Sequence, residues 1–497
     1  MRIMMGLCAS RILSRVLSLC LSLGLCFGIC FGICFGNVRP AIAAPWIENL
    51  PHLITSQLVT GQAAPSIHTP VLLAQATVPP TEILSRLFTE DELQKSWFAD
   101  SFLAQISLAE ISQIIQGIEG SVGAYQSIED VDNGFVFTFE RGRVPAHLAL
   151  NGQGQITGLL FETPQLTAVS IDDLVGEFEA LPGSVHVLAV ELVGETDQLE
   201  TKQLTGQLTG QLTDQSKAID IASLNADKPL AVGSTFKLLI LQALREQIAA
   251  GEHQWDEVVP LQEAWKSLPS GFLQTWPEGS QLTLESLATL MISQSDNTAT
   301  DHLLNIVGRQ AVEALLETDT PVENSNRNDR NRNRPFLSTR EAFVLKDPAN
   351  VRVLRRWRRS DERRSLLSAL AALPLPDVNI FNDGPQAIDV EWFLSARELC
   401  SAMDEIADLP LMSVNPGLVN PNDWEKVSFK GGSEPGVENF TTALVDANGR
   451  NFCVTATWNS EGGIDELQFS TLYRSLIESV KGYEDYHVTR QKNLKQQ

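Results

Sequence analysis

Three short clusters carry the residue types that acyl chemistry needs. The first is Ser234-Thr235-Phe236-Lys237, in the context LAVGSTFKLLILQALREQIAAG. Leu238 to Ala250 has helical spacing, and Gly251 supplies its C-terminal stop. Residues three apart share a helix face, so Lys237 is predicted to stand beside Ser234. A buried Lys with a lowered pKa can take the proton of a Ser hydroxyl, and free N–H groups at a helix start can hold the oxyanion that forms. Taken alone, a helix-capping Ser followed by a surface Lys is the better account of this cluster. The second cluster is Ser295-Asp296-Asn297, between two helical stretches in MISQSDNTATDHLL. Ser295 can pass a proton to a leaving nitrogen or oxygen. Asn297 can hold a substrate amide or the Lys, and Asp296 can brace the turn. The third is Lys430-Gly431-Gly432-Ser433, read as the end of a strand over Lys426–Lys430 and followed by a turn at Glu434-Pro435-Gly436. Lys430 offers a cation to a substrate carboxylate, and Gly431 and Gly432 let a backbone approach the substrate closely.

The elements that must position these clusters are legible in outline. Val185–Val193 reads as a buried strand, with Ile219–Asn225 as its hairpin partner. Strand patterns at Thr442–Val445 and Phe452–Trp458 continue an antiparallel ribbon after Lys430, and a last helix falls near Phe469–Ser479. Upstream, Thr81–Phe88 and Glu90–Ala99 have helical spacing, and Ser107–Glu119 places Leu108, Ile111, Ile114, Ile115 and Ile118 on one face. Strand-like runs follow at Gly134–Arg141, Ala146–Leu150 and Ile156–Phe161, with a hairpin turn at Asn151-Gly152-Gln153-Gly154. Helices followed by a meander suggest a small α+β domain over 81–165, ahead of a larger one over 170–485. A Gln-Leu-Thr-Gly repeat over 203–215 and the stretch 324–334 (NSNRNDRNRNR) read as polar insertions, and 486–497 as a tail. An Arg-rich helix is predicted over Asn350–Leu373, with Leu354, Trp357, Leu366, Leu367 and Leu370 as its buried side. Its basic face reads either as a solvated surface or as a dock for an anionic partner such as cell-wall polymer or lipid headgroup.

Composition bounds the rest. The 497 residues hold 37 Lys plus Arg against 61 Asp plus Glu, for a formal net charge of −24, which disfavours nucleic acid as a general partner. The first 43 residues contain no acid and four Arg. Their apolar run Val16–Gly36 precedes Ala41-Ile42-Ala43, the pattern of an export signal cleaved after Ala43; an uncleaved membrane anchor is the alternative. Residues 44–80 read as a linker. Five of the seven Cys lie within the signal, so Cys400 and Cys453 are left, either paired or as two buried thiols. Two Cys build no zinc cluster, the seven His show no metal-ligand spacing, and no phosphate loop is present, so no cofactor or metal is expected. His186 and His302 read as packed or surface residues. No Gly-x-Ser-x-Gly surrounds Ser234, which leaves an α/β-hydrolase triad without support.

Ser-x-x-Lys, Ser-Asp-Asn and Lys-Gly-Gly in this order resemble the signature of the class A β-lactamase and penicillin-binding-protein superfamily. The similarity extends from about Ser184 to Glu478. It implies a two-domain α+β, β-lactamase/transpeptidase-like fold, an antiparallel sheet flanked by helices with an all-α subdomain. It further implies Ser234 as acylated nucleophile, Lys237 as its base, Ser295 as proton shuttle, Asn297 as substrate contact and Lys430 as carboxylate anchor. The backbone N–H groups of Ser234 and Ser433 would form the oxyanion hole, with Gly432 beside them at the substrate. Substrates of this class are β-lactams, small esters or amides. PFLSTREAFVLK (Pro335–Lys346), VEWF and FKGGSEPGV resemble a subgroup carrying a small N-terminal steroid-isomerase-like cone domain, as in a β-lactamase-like protein of the clavulanic acid biosynthesis cluster.

Two departures from the family pattern bear on turnover. The Glu-x-x-Leu-Asn motif, whose Glu serves class A enzymes as deacylation base, is absent from Pro374–Cys400. Asp377, Asp383, Asp389 and Glu391 stand in that stretch without the family context, and Glu391, before the next helix, is the candidate among them. Lys-Gly-Gly also replaces Lys-Thr-Gly, removing a hydroxyl that would meet a substrate carboxylate. The expectation is an exported serine hydrolase with weak β-lactam turnover. The alternatives are a non-turnover penicillin-binding or sensor module and a cell-wall-associated binding protein.

Overall fold

The computed structural model describes residues 78–167, 169–192, 218–316, 332–359, 361–481 and 483. The segment read as an export signal, nearly all of the expected linker, the 203–215 stretch, most of 324–334 and the expected tail lie outside the described residues.

Helix α1 (Pro80–Thr89) opens on Pro80, whose missing N–H is no loss in a first turn, and buries Ile83, Leu84 and Leu87. The helix expected over Glu90–Ala99 does not form. A single 3-10 turn, Lys95–Trp97, is present, and Ala99 N–H donates instead to Ile156 O at 2.9 Å. This tertiary bridge, with Phe98 buried beside it, outweighs a weak local helical preference. Helix α2 (Leu108–Val122) is capped by a reciprocal Ser107–Glu110 box and buries Ile111, Ile115, Ile118 and Val122. Strands β1 (Tyr125–Val131), β2 (Gly134–Phe139), β3 (Gly142–Leu150) and β4 (Ile156–Phe161) form an antiparallel meander in that order, with β5 (Gln165–Leu166) on the far end of β3. Sequence reading missed β1, because its outward residues are polar and it lacks an apolar alternation.

Helix α3 (Ile171–Glu179), capped by Ser170, leads into the larger sheet. Its strands are β6 (Ser184–Leu192), β7 (Ala218–Leu224), and, after the helical region, β12 (Lys426–Glu434), β13 (Val437–Val445) and β14 (Asn451–Asn459). The spatial order is β12-β13-β14-β6-β7, antiparallel throughout. Between β7 and β12 lie the short strand β8 (Leu230–Ala231), helix α4 (Lys237–Ala249), and the pair β9 (Val258–Pro260) and β10 (Gln281–Thr283). Helices α5 (Leu284–Ser293), α6 (Asn297–Val307), α7 (Arg309–Leu315), α8 (Thr339–Lys346), α9 (Val351–Trp357) and α10 (Arg363–Ala371) follow. Strand β11 (Phe393–Leu394) pairs with β8, and α11 (Ala396–Asp404) precedes β12. Helix α12 (Glu466–Lys481) closes the described chain.

Two large cores result. One joins α4 through α11 around Phe236, Leu241, Met291, Phe336, Trp392 and Met403. The other runs from the N-terminal meander through α12 to the larger sheet, joining Phe137, Phe139 and Ile118 to Phe469, Leu476, Trp458 and Val454. Polar contacts reinforce that seam: Leu166 N–H donates to Ser475 Oγ at 2.7 Å, and Arg474 meets Glu162 at 3.1 Å. Cys400 on α11 and Cys453 on β14 form a disulfide with Cα atoms 5.7 Å apart, which decides between the two readings left open above.

The Arg-rich segment is two helices, not one. The chain breaks between α9 and α10, where Arg363 Nε donates to Trp357 O at 2.8 Å and its guanidinium covers the Trp357 ring. Leu354, Trp357, Leu366 and Leu370 are buried as expected. Much of the basic face meets carboxylates: Arg358 pairs with Asp389 at 2.7 Å, Arg364 with Glu313 at 2.8 Å, and Arg356 with Glu362 at 2.8 Å. His186 and His302 are both packed inside; His302 Nε2 accepts from Gln262 N–H at 2.8 Å, so its Nδ1 donates to Thr298 O at 2.7 Å.

Candidate active site

Ser234 sits in a 3-10 turn, Gly233–Phe236, that runs directly into α4. The helix is packed among α5, α6, α7 and α11, which buries Leu238, Leu239, Ile240, Leu241 and Leu244 together with Lys237. The apolar sequence after Ser234 therefore forces the Lys side chain into the interior. Trp392 fixes the turn from the other side. Its indole stacks on Phe236 at 3.7 Å between ring centroids, and its carbonyl accepts Val232 N–H at 3.0 Å.

Ser295-Asp296-Asn297 forms the tight link between α5 and α6. Ser295 has φ +54°, a left-handed conformation that a non-Gly residue holds only when its surroundings dictate it. Asp296 does much of the dictating. Its carboxylate accepts Ala299 N–H at 2.8 Å as the cap of α6, and Phe272 and Leu273 N–H at 2.7 and 2.9 Å. Gly271 is required there, because a Cβ would come within 2.1 Å of the Asp296 carboxylate. Ser270, which sequence reasoning did not single out, donates its hydroxyl to Ser295 O at 2.7 Å and accepts Asn297 N–H on its carbonyl.

Lys237 and Lys430 converge on Ser295. Lys237 Nζ lies 3.0 Å from Ser295 Oγ, 2.6 Å from Ser295 O and 2.8 Å from Asn297 Oδ1. Lys430 Nζ lies 3.1 Å from the same Ser295 Oγ and also donates to Gly431 O. Burial pushes Lys237 down to about 7, against the opposing pull of Asp296, Asp301 and Glu434. Lys430 falls well below the usual lysine range, first because it is buried and then because it faces the charge of Lys237. Beneath them Asp301 accepts Thr339 N–H, Thr339 Oγ1 and Arg340 N–H at 2.7 to 2.9 Å, and burial raises it to about 6.

The third cluster lies inside β12, not at its end. The strand continues four residues past Lys430 because β13 pairs with it through Glu434–Val437. This carries Gly432 against the Ser234 turn. A Cβ on Gly432 would fall 2.1 Å from Val232 O and 2.6 Å from Ser234 N, and one on Gly233 would fall 3.1 Å from Ser433 N. The backbone segments of Ser234 and Ser433 thus lie side by side. Asn297, expected to hold a substrate amide or the Lys, accepts Lys237 on its Oδ1 at 2.8 Å and donates its Nδ2 to Leu268 O at 3.1 Å.

Three candidate carboxylates of 374–400 are engaged elsewhere. Asp377 caps its own 3-10 turn, Asp389 pairs with Arg358, and Glu391 is buried in an ion pair with Lys346. The side chain of Asp383 lies outside the described ones. No group of three His, Cys, Asp or Glu among the described residues could hold a metal ion. The arrangement can take a proton from a hydroxyl, relay it through Ser295 and offer backbone N–H groups to a developing oxyanion.

A family model described as the β-lactamase enzyme family matches residues 198–345, which include the first two clusters and stop before the third. No curated protein matches the chain. Among solved structures it is similar to a β-lactamase from Sphaerobacter thermophilus, at 20% identity over 63% of this chain and 97% of that one, with a TM-score of 0.37. It is similar to a point mutant of PBP-A in its acyl-enzyme complex with penicillin G, at 16% identity over 64% of this chain and 96% of that one, with a TM-score of 0.35. An ancestral Gram-negative class A β-lactamase matches at 14% identity over 62% of this chain and 98% of that one, with a TM-score of 0.38. The strand order, the covering helices and the matched family model make this a β-lactamase/transpeptidase-like fold.

Proposed function

We propose that the protein is a serine hydrolase that forms an acyl-enzyme on Ser234 from β-lactams, small esters or amides. The observation that carries this reading is the convergence of Lys237, three residues after Ser234, and Lys430 on the one hydroxyl of Ser295. Lys237, neutral in good part near pH 7, takes the Ser234 proton while Oγ attacks the acyl carbon. The N–H groups of Ser234 and Ser433 hold the oxyanion. Collapse breaks the bond to the leaving nitrogen or oxygen, which receives its proton through Ser295. Lys430 sets the field at that hydroxyl and faces a substrate carboxylate.

The test is a fluorescent penicillin and nitrophenyl acetate, each offered to the wild type and to Ser234→Ala. Covalent label and ester turnover that vanish in the variant support the reading; label or turnover that persists in Ser234→Ala sinks it. A second reading, a long-lived acyl-enzyme that acts as a binding or sensing module, is favoured by the state of Glu391. The carboxylate that sequence reading offers in place of the missing deacylation base is buried and held by Lys346. Intact mass followed over time separates the two, since rapid return to the free mass excludes the trap.

Export belongs to the same proposal. It is supported by the apolar leader over Val16–Gly36 and by the Cys400–Cys453 disulfide, a bond favoured outside the reducing cytosol. The cell-wall polymer reading has less support, because Arg356, Arg358 and Arg364 already meet carboxylates.

A further inference from the structure

A second buried charge cluster lies behind the Ser234 centre. Lys346 ends α8, and its Nζ bridges Glu391 and Glu434. The side chains are 2%, 0% and 18% exposed in that order. Removing such charges from water costs several kcal/mol per ion by general estimate, and well-packed apolar residues commonly do as well or better for stability. Stability alone is therefore a weak reason for the cluster.

Its place supplies a stronger one. Glu391 immediately precedes Trp392, whose carbonyl and indole hold Val232 and Phe236, the residues two before and two after Ser234. Glu434 immediately follows Ser433 on β12. One ammonium thus ties the segment that clamps the nucleophile turn to the strand end that carries Ser433. The two tied segments meet where Gly432 packs against Ser234 N and Gly233 against Ser433 N.

We propose that Lys346 is a positioning residue: through Glu391 and Glu434 it sets the distance between the Ser234 and Ser433 N–H groups that receive the oxyanion. The proposal rests on the acyl-enzyme reading above. Oxyanion donors act only within a narrow range of distance, and a displacement of about 1 Å costs on the order of 100-fold in rate.

The experiment measures kcat and KM for nitrophenyl acetate, and the rate of penicillin labelling, in four proteins beside Ser234→Ala. These are the wild type, Lys346→Arg, Lys346→Met, and the triple Lys346→Met, Glu391→Gln, Glu434→Gln, which leaves no unpaired buried charge. The expected result is a fall in kcat of roughly 100-fold in the Met and triple variants with KM nearly unchanged, and substantial recovery in Lys346→Arg. A folded Met or triple variant with wild-type kcat overturns the proposal, as does a loss confined to KM. Failure of all three variants to fold assigns the cluster to stability and overturns it too. Wild-type protein without Ser234-dependent labelling removes the hydrolase reading and this role with it. Ser234-dependent labelling left unchanged by the Lys346 variants removes the positioning role alone.

Discussion

Two buried lysine sites in this protein meet opposite fates. At Ser295, Lys237 and Lys430 are enclosed with hydroxyl, amide and carbonyl oxygens as their hydrogen-bond partners, and both are driven below the usual lysine range. At the end of β12, Lys346 is as deeply enclosed but touches two carboxylates, and it is driven above that range by Glu391 and Glu434 in spite of its burial. Burial is common to both. The difference lies in the adjoining carboxylates, which raise a buried lysine's proton affinity where burial alone lowers it.

The largest test of this contrast removes the amine from the first site. Lys237→Ala is expected to lower kcat/KM by about two to four orders of magnitude, the range for loss of a positioned base, measured on the ester that the wild type turns over. A drop under about tenfold would contradict its role. The same base fixes the pH profile. Lys237 must be neutral to accept the Ser234 proton, so acylation is expected to rise with pH up to about 7 and level off above it. A rate that falls as pH rises through that value would invert the assignment.

The second test turns the strut into an unpaired cation. Replacing Glu391 and Glu434 together by Gln leaves Lys346 buried without counter-charge. The expected loss is about 3–5 kcal/mol of unfolding free energy, read by urea denaturation. A loss below about 1 kcal/mol would show that Lys346 does not depend on its carboxylates. The smallest effect belongs at the surface. Arg358→Gln breaks the half-exposed pair with Asp389 and should cost no more than about 1 kcal/mol by the same measurement.

The comparison also marks where reading the sequence stops. The chemistry-bearing clusters, the strands that follow Lys430, the hairpin of β6 and β7 and the amphipathic α2 were legible because each depends on neighbours along the chain. So was the bracing role of Asp296, since a short polar side chain before a helix caps it. Three of the failures share one cause. Glu90–Ala99 carries helical spacing, yet its end is taken by Ile156. The Arg-rich segment breaks where Arg363 folds back on Trp357. β12 runs past Lys430 because β13 pairs with it there. In each case a partner outside the local pattern outweighed local preference.

The sequence by itself determined which groups could react and in what order they come: Ser234 with Lys237 on one turn, Ser295 and Asn297 at a helix start, Lys430 on a strand with two Gly behind it. Those relations are local and follow from helix and strand periods. Only the tertiary structure decided that two lysines meet at one hydroxyl, that Cys400 and Cys453 pair, and that Glu391 pairs with Lys346. A lysine's proton affinity depends on the charges and solvent around it, and those are supplied by residues far away in the chain.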